Sequence, residues 1–114
     1  MVTVEDTKSR ISTMRGQRFL RAQAVLKKIM DILVMKYHVN RIILIGSLTD
    51  RHRFGFHSDI DLCVEGLPEG FYFRAVGELL LESEEFDIDI IPIENTTPEM
   101  KKRIEKGKVL YEKG

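Results

Sequence analysis

The segments Ile42-Ile43-Leu44-Ile45-Gly46-Ser47 and Ser58-Asp59-Ile60-Asp61-Leu62 decide how this chain is read. An apolar run closed by Gly-Ser describes a buried strand entering a tight turn, where a small residue lets backbone N–H groups approach a phosphate closely. Ser47 adds a hydroxyl at that turn. In the second segment one apolar residue separates Asp59 from Asp61. On a strand both carboxylates therefore leave one face while Ile60 and Leu62 enter the core. Two carboxylates on one face suit Mg²⁺, which takes oxygen ligands and completes its shell with water and substrate phosphate oxygens.

A second acidic strand strengthens this reading. In Phe86-Asp87-Ile88-Asp89-Ile90-Ile91-Pro92, Asp87 and Asp89 alternate with apolar residues and so share a face. Asp is depleted in strands, and an unpaired buried carboxylate is costly, so these acids call for a cation or a solvated cleft. If the two strands are neighbours, three of the carboxylates can converge on a pair of Mg²⁺ ions, an arrangement used for in-line nucleotidyl displacement.

Gly46-Ser47, Asp59-Ile60-Asp61 and a later strand Asp, in that order, resemble the nucleotidyltransferase superfamily that includes DNA polymerase beta and kanamycin nucleotidyltransferase. The chain is most similar to its smallest branch, the MNT (minimal nucleotidyltransferase) proteins. The resemblance runs over residues 17 to 112 and takes in Ser58-Asp59-Ile60-Asp61-Leu62-Cys63-Val64-Glu65-Gly66 and the stretch from Arg103 to Glu112. It implies the nucleotidyltransferase fold, an α/β (α+β) architecture with helices packed on a small mixed β-sheet. By the same resemblance Gly46 and Ser47 hold the triphosphate, with Ser58 beside them, Asp59 and Asp61 bind two Mg²⁺ ions, and Asp89 is the third acid that activates the attacking hydroxyl. Asp87 competes for that last role. Asp89 is preferred because Asp89-Ile90-Ile91-Pro92-Ile93-Glu94 is similar to the family's third-acid strand followed by a short acidic turn.

The chain departs from the family pattern in two places. The spacer between Ser47 and Asp59 is one residue longer than usual, and Leu48 stands where many members carry Arg. Both bear on which side chains touch the triphosphate. Arg51 and Arg53 are candidates to supply the missing charge, since a guanidinium fork suits phosphate. The alternative, that Arg51-His52-Arg53 is a solvated turn, stays open on sequence grounds.

The resemblance further implies transfer of AMP from ATP to a hydroxyl, with a tyrosine of a HEPN-domain toxin as acceptor and this chain as the antitoxin of the pair. Two alternatives accompany it. One is a binding module that neutralises its partner by contact alone; the other is a nucleotidyltransferase acting on a small molecule such as an aminoglycoside.

Composition bounds these readings. A chain of 114 residues with 43% hydrophobic and 32% charged residues suits one soluble domain. The net charge of zero argues against a general nucleic-acid binder, yet residues 1 to 53 hold 11 Lys/Arg against 4 Asp/Glu, and the remainder 7 against 14. The basic half is placed to attract a triphosphate or an acidic partner. Cys63, the lone cysteine, excludes an intrachain disulfide and suits the reducing cytoplasm, where it reads as a small packing residue. No apolar stretch reaches membrane-spanning length, and no signal-peptide pattern opens the chain. A homo- or hetero-oligomer is expected, because a chain this small leaves apolar surface uncovered.

Residues 1 to 16 are polar and are read as a separate N-terminal segment, mobile or joining the first helix late, ahead of a single domain over 17 to 114. Phe19, Ala22, Leu26, Ile29 and Leu33 predict an amphipathic helix from Gln17 to Tyr37. Strands are predicted at 41–45, 60–64 and 86–91, with a helix over 71–83 between the last two. Thr96 or Thr97 is expected to cap a last helix from Pro98, stopped by Gly107. Val109-Leu110-Tyr111 is read as a packed tail, and Lys101-Lys102-Arg103 as a solvated helix face.

Overall fold

The computed structural model describes residues 2–114. Helix α1 spans Val4–Met35, strand β1 Arg41–Ile45 and strand β2 Ile60–Glu65. Helix α2 follows at Tyr72–Leu80, then strand β3 at Ile88–Pro92, helix α3 at Pro98–Glu105 and strand β4 at Lys108–Glu112. The sheet order is β3-β2-β1-β4. Strand β1 is antiparallel to both β2 and β4, while β2 and β3 run parallel, making the sheet mixed as expected.

Strand alternation splits the apolar residues between the two faces. Ile42 and Leu44 of β1, Ile60, Leu62 and Val64 of β2, and Ile88 and Ile90 of β3 join Ala22, Leu26, Ile29 and Leu33 of α1 and Ala75 and Leu79 of α2 in the main core. The expected α1 stripe is the buried one, and each fully buried Leu or Ile contributes roughly 1.5–3 kcal/mol. The opposite face carries a smaller cluster of Ile43, Ile45 and Cys63, covered by Ile91, Ile93, and Met100 and Ile104 of α3. Cys63 is fully buried there, as its packing role requires.

Two elements differ from their sequence reading. Helix α1 begins at Val4, not near Gln17. Its start is fixed locally by a capping box, in which the Thr3 hydroxyl accepts the Asp6 N–H and the Asp6 carboxylate accepts the Thr3 N–H, each at 3.1 Å. The apolar stripe begins later because residues 2–14 are exposed and pack on no core. The first residue of the proposed N-terminal segment lies outside the described residues. The second difference is the tail, which is a strand: β4 pairs with β1 through a bulge between Ile42 and Ile43. That pairing is long-range, and a five-residue segment does not announce it. Gly107 permits the approach, since a Cβ there would lie 2.7 Å from Ile43 Cγ2 and 2.8 Å from the Leu44 carbonyl.

Thr97 caps α3 by accepting the Met100 N–H at 3.2 Å, with Pro98 opening the helix. Among the described residues no helix is long and apolar enough to cross a membrane.

Candidate active site

Strand β1 delivers the turn. The chain leaves it through Gly46 at φ +79° and ψ −163°, a conformation essentially reserved for glycine. Ser47–Thr49 then form one 3₁₀ turn, with the Thr49 N–H and hydroxyl both donated to the Gly46 carbonyl, at 3.3 and 2.7 Å. A Cβ on Gly46 would stand 2.8 Å from Asp61 Oδ2. Glycine therefore creates the space that the Asp61 carboxylate fills.

Register gathers the acids beside this turn. Ile45, the last residue of β1, opposes Asp61, and Asp61 opposes Asp89 on the parallel neighbour. Asp59 sits one residue before β2 and is exposed. Ile60 and Leu62 are fully buried on the far face, so the alternation read from the sequence holds. Asp87 lies one residue before β3, where its carbonyl accepts the Ile60 N–H at 3.0 Å. The strand register thus places Asp89, not Asp87, across from Asp61.

Asp61 is half-buried, and its carboxyl is pushed above the usual value. Burial is the main cause and Asp89 the next; Arg103 pulls the other way, and Asp59 adds to the rise. Burial likewise raises the Cys63 thiol, again opposed by Arg103. Arg103 belongs to α3, whose Met100 and Ile104 lie on the sheet face of Asp61 and Asp89. The helix therefore brings a guanidinium within electrostatic range of Asp61 and Cys63, a placement that the Lys-Lys-Arg run did not disclose. The available signal was spacing: Arg103 is three residues after Met100 and adjacent to Ile104, at the margin of the apolar stripe.

Among the described residues no three or more His, Cys, Asp or Glu are gathered into a ready-made metal cage. Asp59, Asp61 and Asp89 share an electrostatic field without closing around a point. Mg²⁺ suits that arrangement, because it is usually held by one or two carboxylates together with water and substrate phosphates. The raised Asp61 carboxyl, pressed by two further acids, is the local sign that a cation would be stabilising.

The remaining candidates divide. Ser58 Oγ accepts the Gly55 N–H at 2.9 Å, and its carbonyl accepts Arg18 Nη2 at 3.2 Å, so it shapes the loop leading to Asp59. Leu48 is buried in the main core and anchors the turn where many family members carry a cation. Arg51 lies on the α1 side, near enough that a Cβ on Gly16 would be 3.2 Å from Arg51 Nη2. It is not brought to the acids. Arg53 is exposed in the same loop, its N–H donated to the Asp50 carbonyl at 3.0 Å.

Arg15 and Arg18 of α1 hold that loop in place. Arg15 Nη2 donates to the His52 carbonyl at 3.1 Å. Arg18 Nε donates to the Gly55 carbonyl at 3.1 Å, its guanidinium stacks 4.3 Å from the Phe86 ring centroid, and Nη1 pairs with Glu85 at 3.4 Å. Sequence reading passed over both arginines, because their partners are mostly backbone carbonyls some forty positions away.

Comparison with known proteins agrees with the fold. A chain of the crystal structure of the toxin-antitoxin MntA-HepT matches with a TM-score of 0.59 and 20% identity, over 79% of this chain and 72% of that one. A chain of the tri-AMPylated Shewanella oneidensis HEPN toxin in complex with MNT antitoxin matches with a TM-score of 0.59 and 21% identity, over 80% and 72%. At these identities the likeness is one of fold. No curated protein matches the chain. The family model described as polymerase beta, nucleotidyltransferase matches residues 27–114, which include the Gly46-Ser47 turn and all the strand acids. The chain belongs to the polymerase beta nucleotidyltransferase family.

Proposed function

We propose that this domain transfers AMP from ATP to a tyrosine hydroxyl of a HEPN-domain partner and serves as the antitoxin of that toxin. The observation that carries the reading is the Asp61–Asp89 register beside the Gly46 cleft. Support for the partner comes from the fold neighbour whose complex pairs an MNT antitoxin with an AMPylated HEPN toxin.

In this reading the glycine turn and Ser47 receive the triphosphate. Asp59, Asp61 and Asp89 would hold a pair of Mg²⁺ ions, which when bound would neutralise triphosphate charge and ease in-line displacement. The acceptor oxygen bonds to the α-phosphorus as the bond to the pyrophosphate oxygen breaks. Asp89 orients the acceptor hydroxyl and takes up its proton. Burial of Asp61 between the turn and β3 fixes one carboxylate, while exposed Asp59 is placed by the loop that Arg18 holds at Gly55 and Ser58. Transfer is expected in the cytoplasm, within a homo- or hetero-oligomer.

The test is transfer from α-labelled ATP to a co-purified HEPN partner with Mg²⁺, comparing wild type with the Asp59→Asn/Asp61→Asn double mutant. Label on the partner with wild type alone supports the reading. Absence of label from folded wild type, with the partner present, overturns it. A second reading, neutralisation by contact alone, draws on the exposed α2 side, where Phe73 and neighbouring Leu81 are 85% and 86% accessible. That reading requires the double mutant to protect as well as wild type does.

A further inference from the structure

A cavity of about 510 Å³ opens between the N-terminal half of α1 and the loop after the glycine turn. Lys8, Ile11, Ser12, Arg15 and Gly16 line it from the helix, and Arg51 and His52 from the loop. The helix positions recur at intervals of three and four, so they form one continuous face. None of the seven lining residues is acidic.

The cationic side chains here lack compensation. Among the described residues neither Lys8, Arg15 nor Arg51 is in an ion pair. Arg15 donates to the His52 and Phe54 carbonyls, which fix its guanidinium without cancelling its charge. The acids closest to them in the chain, Glu5, Asp6 and Asp50, form no ion pair with any of the three; Asp6 accepts the Thr3 N–H at 3.1 Å and Asp50 the His52 N–H at 2.9 Å. Three like charges around one cavity repel one another, weakly where solvent screens them, and an anion among them relieves that repulsion.

Gly16 gives a second, independent observation. A glycine inside an α-helix costs roughly 0.8–1 kcal/mol relative to alanine. At this position a Cβ would press on the Arg51 guanidinium at 3.2 Å. The glycine leaves room for Arg51 to lie against the helix and face the cavity.

We propose that this pocket is a second anion site, taking the phosphate groups of a small phosphorylated ligand. It lies on the α1 side of the sheet, whereas Asp61 and Asp89 face α3, so the site does not depend on the transfer reaction. Arg15 supplies a fixed fork, Arg51 a guanidinium lying against the helix at Gly16, Lys8 a third charge, and the Ser12 hydroxyl and His52 ring further polar contacts. The assignment gives a role to three of the eleven Lys/Arg in the first half of the chain.

The test is calorimetric titration of the full chain with inorganic pyrophosphate and, separately, AMP, both without divalent metal. Wild type should bind at least one of them, more weakly as salt is raised. Lys8→Gln/Arg51→Gln should weaken that affinity at least tenfold, while Asp59→Asn/Asp61→Asn should leave it unchanged. Tighter binding of AMP would identify a nucleotide as the ligand; equal or tighter binding of pyrophosphate would identify a bare polyphosphate. Gly16→Ala provides a variant that favours the helix while shifting the Arg51 guanidinium by a few tenths of an ångström, and it should weaken binding measurably but less than the double substitution. No binding to wild type, or affinity unaltered by both the double substitution and Gly16→Ala, would overturn the assignment.

Discussion

The Asp61 carboxylate occupies the volume a side chain at Gly46 would need: a Cβ there falls 2.8 Å from Asp61 Oδ2. The glycine is doubly required, since its φ of +79° with ψ of −163° is also closed to other residues. Gly46→Ala should therefore lower stability by about 1–3 kcal/mol through backbone strain and abolish AMP transfer by displacing Asp61. Urea melts and labelled-ATP transfer read the two effects. Full activity in Gly46→Ala would show that the carboxylate need not stay in its cleft.

Asp61 sets a pH dependence of definite sign. Its carboxyl is raised by burial, by Asp89 and, more weakly, by Asp59, against the pull of Arg103. The folded state thus binds its proton more tightly than the unfolded state. The stability this confers is complete below the unfolded value near 3.8 and is lost as pH rises through the higher folded value. At pH 7 the ionised carboxylate is a liability to the metal-free fold, so Asp61→Asn should be the more stable protein. The gap should close as pH falls toward 4. Mg²⁺ should reverse the order, since an ion at ten times its Kd stabilises by about 1.4 kcal/mol. Urea melts at several pH values, with and without Mg²⁺, decide it; a metal-free Asp61→Asn less stable than wild type at pH 7 would contradict it.

Much of this site is legible in the chain because it is built from short-range rules. Period-two alternation places Asp59, Asp61 and Asp89 on one face, and Gly46-Ser47 marks the end of a buried strand. The structure adds what depends on distant pairing. Strand β4 forms only because β1 offers an open edge, and no local pattern in Val109-Leu110-Tyr111 declares that edge. The start of α1 was hidden differently: its capping box is local, but its first turns bury nothing and so carry no apolar signal. Arg103 and Arg51 show the same limit in side-chain placement. Arg103 comes within electrostatic range of Asp61 through the docking of α3, while Arg51, read as a phosphate ligand in the loop, lies on the α1 side.

Arg103 should influence transfer through Asp61. Among the described residues it is the positive group that opposes the rise of the Asp61 carboxyl. Arg103→Gln removes that opposition, so the Asp61 pKa should rise further and the acid limb of the pH–rate profile should move to higher pH. Since Arg103 is exposed, the fold should tolerate the change. An acid limb at the same pH in Arg103→Gln, whatever the overall rate, would mean that the guanidinium does not act on this carboxylate.

Arg18 joins the helix to the loop that positions Asp59. Its side chain is only 11% exposed, donates to the Gly55 and Ser58 carbonyls and stacks on Phe86. Glu85 would keep Arg21 as a partner if Arg18 were lost, and at 36% exposure it is partly solvated, so the ion pair itself contributes little. The carbonyls are the larger loss, because hydrogen bonds from a charged donor are worth about 1.5–3 kcal/mol. Arg18→Met, which keeps the apolar stem, should therefore cost roughly 2–3 kcal/mol in urea melts. Arg18→Lys should not restore it, because one ammonium cannot span both carbonyls in the manner of the planar fork. Transfer should fall further than unfolding explains, since a released loop lets Asp59 leave the face it shares with Asp61. Were Arg18→Met to lose stability while keeping wild-type kcat at a temperature where it is fully folded, the loop would be a scaffold for the fold alone, with no part in placing the acid.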